Sequence, residues 1–298
     1  MIKHWIITGD THGGMGTVTR IGNIARNMPE YKPEDTGIII LGDAGLNFYL
    51  NKTDKKYKKI VNNQGYHIYC VRGNHEERPE NVEGLHLEND YNVGNMTWVE
   101  DDYPNIRYFA DGGNYFIGGY SVLVVGGAYS VDKYWRLQRA GYAAADAEIA
   151  DPKRTGWFKD ECLTAREMEL IKEGTAGRKY DFVFSHTAPI EWEPTDLFLG
   201  CIDQSTVDKS MEYFLNEIKE NMTWNCWCFG HYHADRIERP HVEQFYFDYE
   251  LMDTVWNRWN DKCTYKNEWW LTKSPYMEMW DAENKVQVEL KEGGYCED

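Results

Sequence analysis

The sequence has no apolar run approaching the ~20 residues that a helix needs to cross a bilayer. Its N-terminal apolar stretch, Trp5 to Ile7, gives way at once to Thr8-Gly9-Asp10, which reads as neither leader peptide nor anchor. Positive charge is scarce: 32 Lys+Arg against 49 Asp+Glu leave −17 at neutral pH. Nucleic-acid backbones are bound through a Lys/Arg footprint, so the deficit argues against duplex nucleic acid as a partner. The same deficit argues against an anionic membrane surface. Cysteine lacks a framework: seven are scattered at 70, 162, 201, 226, 228, 263 and 296, whereas a secreted disulfide scaffold is shorter and regularly spaced. Cys226 and Cys228 sit in an apolar run and read as buried thiols, so a reducing cytoplasm is the expected compartment. There is no internal repeat and no low-complexity tract.

What is present is the material for a large core. Of 298 residues 42% are hydrophobic and 15% aromatic, and a chain of this size buries about three-quarters of its unfolded surface. The spacing predicts strands at 4–8, 37–41 and 66–71, alternating with helices at 18–28 and 52–63, the rhythm of a parallel α/β layer. Short strands at 106–110, 114–117 and 121–125, divided by Gly-containing turns, suggest antiparallel pairing. Thr164-Ala165-Arg166-Glu167 has the form of a capping box. Strands follow at 180–185, 224–229 and 244–248, and an amphipathic helix at 205–221 aligns Met211, Phe214, Leu215 and Ile218. No linker breaks the chain. One core over 1–255 is expected, with a lid-like insertion near 128–163. A Trp-rich extension over 256–298 (Trp256, Trp259, Trp269, Trp270 and Trp280) is expected to pack on that core.

The chemistry gathers at strand ends. The predicted strands run into Gly9-Asp10-Thr11-His12, Gly42-Asp43, Gly73-Asn74-His75-Glu76, Ser185-His186 and Gly230-His231-Tyr232-His233. In open α/β sheets ligands collect at the carboxyl ends of strands, and glycine there permits a sharp turn and a close approach. Gly-Asp alone is common, and a lone His at a strand end is usually a hydrogen-bonded core residue. Gly-His-x-His is sharper, since shuffling this composition yields only ~0.02 matches. Five of the nine histidines directly follow predicted strands. Imidazole and carboxylate together suit divalent Mn, Fe or Zn, whereas Ca or Mg would call for oxygen ligands throughout. The absence of Cys from these motifs argues against a closed structural zinc site. Two such ions are a standard device for phosphate-ester hydrolysis.

The order Asp-x-His, Gly-Asp, Gly-Asn-His-Glu, His, Gly-His-x-His resembles the calcineurin-like metallophosphoesterase superfamily from Asp10 to His233. Gly126-Gly127-Ala128-Tyr129-Ser130-Val131-Asp132 and Gly156-Trp157-Phe158 resemble its prokaryotic and phage-type members. The resemblance implies an α/β fold of two packed mixed β-sheets flanked by helices. It also implies two divalent ions: one held by Asp10, His12, Asp43 and His233, the other by Asp43, Asn74, His186 and His231, with Asp43 as the bridge. His75 would protonate the leaving group while a metal-bound hydroxide attacks a phosphate mono- or diester. Many members carry an Asp and an Arg after the second Gly-Asp. The run Gly42-Asp43-Ala44-Gly45-Leu46-Asn47 has neither, which counts against a protein phosphatase and leaves the partner of His75 open between Asn47 and Glu76.

Arg72, Arg136 and Arg236 lie near the motifs and are candidates to clamp phosphate, since guanidinium matches phosphate oxygens bidentately. The alternatives are a nuclease of the same superfamily acting on short or single-stranded nucleic acid, and a non-catalytic interaction protein that kept the fold. The charge of −17 favours a small phosphate ester over a long polyanion. Oligomeric state is not legible.

Overall fold

Strands that are buried at nearly every position need cover on both faces. That condition governs the architecture of the computed structural model, which describes residues 2–198, 200 and 204–260. In β1 (His4–Thr8) and β2 (Thr36–Ile40) the side chains alternate between two cores. Ile7, Ile39 and Leu41 face one, while Ile6, Ile38 and Ile40 face the other.

The chain continues through β3 (His67–Cys70), β4 (His86–Asp90), β5 (Asn95–Val99), β6 (Ile106–Tyr108), β7 (Gly113–Ile117) and β8 (Tyr120–Val125). It then forms β9 (Lys179–Ser185), β10 (Thr223–Phe229), β11 (Arg236–Arg239), β12 (Val242–Gln244) and β13 (Tyr249–Leu251). One sheet has the order β13-β1-β2-β3-β6-β5-β4 and the other β11-β12-β10-β9-β8-β7. Each has a parallel centre, β1 to β6 and β12 to β8, edged by antiparallel strands. The fold is therefore two mixed sheets flanked by helices, the architecture expected from the resemblance.

Between the sheets lie Trp5, Tyr69 and Phe109 from one and Val124, Phe182, Phe184 and Cys228 from the other. On the outer face of the first sheet, α1 (Gly14–Asn27) and α2 (Lys52–Asn63) contribute Ile21, Ile24 and Val61. On the outer face of the second, α6 (Ser210–Asn221) packs Met211, Phe214, Leu215 and Ile218 against Val183, Trp227 and Phe229, with Ile171 of α5 (Ala165–Thr175) beside them. Between β8 and α5 the insertion holds two short helices, α3 (Lys133–Arg139) and α4 (Pro152–Thr155), anchored by buried Leu137, Trp157 and Phe158. Of the Trp-rich extension, α7 (Met252–Asn260) brings Trp259 into the inter-sheet core and Trp256 against it. Trp269, Trp270 and Trp280 lie outside the described residues. Cys70, Cys226 and Cys228 are buried and unpaired. Among the described residues no helix is long and apolar enough to cross a membrane.

Several boundaries differ from the sequence expectation. The first helix starts at Gly14 rather than 18, because Gly14 and Gly16 permit contact with Tyr57 and with the Thr11 carbonyl that any Cβ would obstruct. The expected helix at 205–221 begins only at Ser210. The expected strand at 244–248 ends at Gln244, because the Asp235 carboxylate takes the backbone N–H groups of Tyr246, Phe247 and Asp248 at 2.6–2.9 Å and turns the chain. The hairpin β4–β5 has no counterpart in the sequence expectation, since β4 is polar and mostly exposed.

Arg78 ties the loop after β3 to the end of the insertion. It donates to the Asp160 carbonyl at 2.8 Å, the Cys162 carbonyl at 2.8 Å and Glu167 Oε1 at 2.6 Å. Glu167 also closes the capping box of α5, accepting the Thr164 N–H at 2.7 Å while its own N–H donates to Thr164 Oγ1 at 3.3 Å. Burial pushes the Glu167 carboxyl up, but Arg78 and Thr164 outweigh it and hold it at about 2. A carboxyl depressed on folding stabilises the fold above its unfolded value of 4.5 and loses that contribution as pH falls toward 2. The stability gap between wild type and Glu167→Gln, from urea unfolding at a series of pH values, should be widest near neutrality and should close across that acidic interval. A gap independent of pH contradicts this pairing.

Candidate metal centre

Both sheets deliver their carboxyl ends to one place. Asp10 and His12 follow β1, Asp43 follows β2, and Asn74 and His75 follow β3. His186 follows β9 directly, and His231 and His233 follow β10. The backbone is strained where these groups turn inward. Of six non-glycine residues at positive φ among the described residues, four are His12, Asp43, His231 and His233, at +45°, +49°, +66° and +56°. Left-handed backbone is costly for any residue with a Cβ, and such strain concentrates at functional sites. Glycine makes room beside them: a Cβ on Gly42 would lie 2.0 Å from His186 Nδ1, and one on Gly73 would lie 1.9 Å from Asp43 Oδ1.

Asp10 and Asp43 are 0% and 1% exposed. Nevertheless Asp10 Oδ1, Asp10 Oδ2 and Asp43 Oδ2 have no hydrogen-bond partner among the described residues. Imidazoles surround them instead. His12 Nε2 and His233 Nε2 lie 3.5 and 3.7 Å from Asp10 Oδ2 and touch each other; His186 Nε2 lies 3.6 Å from Asp43 Oδ2. Three triads place their ligand atoms within 4.8 Å of one another: Asp10, His12 and His233; His12, Asp43 and His75; and Asp10, Asp43 and His186. His231 joins none of these triads, but its ring lies 5.0 Å from that of His186.

The balance of donors and acceptors in the cluster suits cations. In the form that ligates metal, the His186 ring donates from Nδ1 to the Leu41 carbonyl at 2.8 Å, which leaves Nε2 as a bare lone pair. That lone pair faces Asn74 Oδ1, another acceptor, at 2.9 Å, with the bare Asp43 Oδ2 close by. Acceptors turned toward one another, beside carboxylates without donors, are the donor set of a cation site, so the residues present fit divalent metal.

Burial pushes His231 well down and also lowers His233 and His75, which keeps these rings neutral, the form that ligates metal. His12 is raised: burial opposes the shift, but the negative charge of nearby Asp10, with that of Asp43, prevails. Asp43 is held below the usual carboxylate range: burial works against it, but the positive charge that His186, His75 and His12 carry when protonated outweighs burial.

Neither sequence candidate orients the His75 ring. His75 Nδ1 and both side-chain polar atoms of the buried Asn47 lack partners among the described residues. Glu76 Oε1 accepts the Gly73 N–H at 2.8 Å, and burial first, then Asp43, pushes its carboxyl up to about 8. The backbone N–H of His75 donates to Asp43 Oδ1 at 2.8 Å, which ties the two residues together.

The three arginines part company. Arg72 is buried and donates to Asp111 at 2.8 Å and to the Glu161 carbonyl at 2.6 Å. Arg236 is paired with Asp196 at 2.8 and 3.0 Å and with Glu238 at 2.6 Å. Arg136 is held by Asp132 at 2.8 Å and borders a cavity of about 200 Å³ with His12, Asp43 and His75. A second cavity, about 300 Å³, opens from the same cluster between Asp132, Glu193, Phe198, Asp208, Glu212 and Tyr232. The sequence alone assigns no role to Ser130, Glu161 or Glu212. Ser130 lies in a motif already singled out; the other two are single acids with no local signal.

The calcineurin-like phosphoesterase family profile matches residues 4–235. A solved structure described as TT1561 of Thermus thermophilus is 13% identical over 85% of this chain and 95% of its own, with a TM-score of 0.40, a likeness too slight to bear on function. No curated protein matches the chain.

The crowding at Gly73 gives a direct test. Gly73→Ala should displace the Asp43 carboxylate and weaken divalent-metal binding about 10- to 100-fold, the usual cost of disturbing what supports a ligand. Competition with a chromophoric chelator measures it, and unchanged affinity in the folded variant contradicts the geometry.

Proposed function

The chain belongs to the calcineurin-like phosphoesterase family, and from that premise we propose that it hydrolyses a small phosphate ester with two divalent cations. The observation that carries the reading is the set of buried carboxylate oxygens left without donors beside imidazoles. Asp10, His12, Asp43 and His233 would hold one ion. Asp43, Asn74, His186 and His231 would hold the other, with Asp43 shared. Bound there, ions of the Mn, Fe or Zn class would activate water and neutralise the phosphoryl oxygens.

The remaining residues have work of their own. Asp43 fixes the turn carrying His75 through the His75 N–H. Burial pushes the His75 ring down and Asp43 opposes it, so the ring takes up its proton most readily beside a further anion, which a bound phosphate ester supplies. Protonated, His75 is the general acid for the departing alkoxide. Arg136, steered by Asp132 at the mouth of the smaller cavity, is the one of the three candidate arginines placed to meet phosphate.

Cavity size and charge support a small substrate. The larger cavity carries Asp132, Glu193, Asp208 and Glu212, and its Lys209 is bonded to Glu193. An extended polyanion would meet these carboxylates beyond the cluster, on a chain of net charge −17.

His75→Ala should slow hydrolysis of an aryl phosphate by about 10²- to 10⁴-fold while metal content stays at the wild-type level; unchanged turnover removes the acid role. Across oligonucleotides or polyphosphates of increasing length, turnover should fall steeply. A rise with length would contradict the small-substrate reading and favour a nuclease.

A further inference from the structure

The segment 126–132 and the far end of the insertion meet behind the cluster, where one chain of hydrogen bonds ends on Asn74. We infer that Glu161 and Ser130 are positioning residues that lock the Asn74 amide with its oxygen, and not its nitrogen, toward His186 and Asp43. The inference rests on the two-cation reading above.

Ser130 and Glu161 are 2% and 3% exposed. Glu161 accepts twice from Ser130, from the backbone N–H at 3.1 Å and from the hydroxyl at 2.5 Å. Burial pushes the Glu161 carboxyl up to about 7; above that pH it is a carboxylate with no proton to give, so the Ser130 hydroxyl must donate its only proton to Glu161. Its lone pairs can then only accept, and Asn74 Nδ2 donates to them at 2.8 Å. An amide with its nitrogen committed on one side must present its oxygen on the other. Oδ1 accordingly lies 2.9 Å from His186 Nε2, among the bare acceptors of the cluster. Turned over, the same amide would aim two N–H groups at a cation and lose its donor to Ser130. The buried Arg72 holds the brace from behind, donating to the Glu161 carbonyl at 2.6 Å. The insertion thus does more than border the cleft: it dictates which atom of Asn74 the cluster receives.

Glu161→Gln keeps the shape and reverses the logic. Its amide can donate to Ser130 Oγ, which releases the hydroxyl proton toward Asn74 and favours the turned amide. Ser130→Ala removes the acceptor altogether. The test is a Mn(II) titration of the full chain at pH 8 against a chromophoric chelator, with the electron paramagnetic resonance signal of an exchange-coupled Mn pair as a second readout. In both variants one site should keep its wild-type affinity, the other should weaken about 10- to 100-fold, and the coupled signal should fade. If Glu161→Gln does not fold, Ser130→Ala decides by the same readouts. Two sites at wild-type affinity, or two weakened equally, overturn the brace. A wild-type chain that binds fewer than two ions overturns the reading beneath it, whatever the variants do.

Discussion

Buried carboxylate charge without a hydrogen-bond donor is the constraint to which the rest of the structure answers. Asp10 and Asp43 bury three oxygens that receive nothing from the described residues. Removing an ionised carboxylate from water costs several kcal/mol even after relaxation, so the surrounding fold must hold these groups in place against their own preference for solvent. It does so by using two sheets at once. β1, β2 and β3 bring both aspartates, His12, Asn74 and His75, while β9 and β10 bring His186, His231 and His233. The interleaved aromatic and aliphatic core between the sheets fixes the two halves relative to each other.

The strain follows from the same constraint. His12, Asp43, His231 and His233 occupy left-handed backbone, at roughly 1–3 kcal/mol each, because each side chain must leave a strand end and double back toward a common point. Gly42 and Gly73 answer the resulting crowding, their missing Cβ atoms being the space taken by His186 and Asp43. The cluster is therefore held by backbone shape first, and by hydrogen bonds such as His186 to the Leu41 carbonyl and the Ser130–Asn74 link second.

Much of this is legible in the sequence, for reasons that mark where legibility stops. The span 4–8 and the helix at 52–63 coincide with β1 and α2, because apolar runs and helical periodicity are local signals. The strand-end Asp and His motifs are legible because each is a short string at the end of such a run. The edge hairpin β4–β5 is not, since an exposed polar strand has no hydrophobic alternation to betray it. The 244–248 segment reads wrongly as a strand because its fate depends on Asp235, a carboxylate in another loop. The roles of Arg72 and Arg236 are hidden for the same reason: nearness to a motif in sequence does not reveal Asp111, Asp196 or Glu238 as partners. Glu161 reaches Ser130 across 31 residues, and no single-sequence pattern records that distance.

The central claim is that Asp43 is shared between two cations. Metal analysis of wild type and Asp43→Asn, purified identically and titrated with Mn(II), tests it most directly. The account predicts two ions per wild-type chain and the loss of both high-affinity sites in the variant. A wild-type chain with one ion or none, or a variant that keeps either site at full affinity, would contradict it.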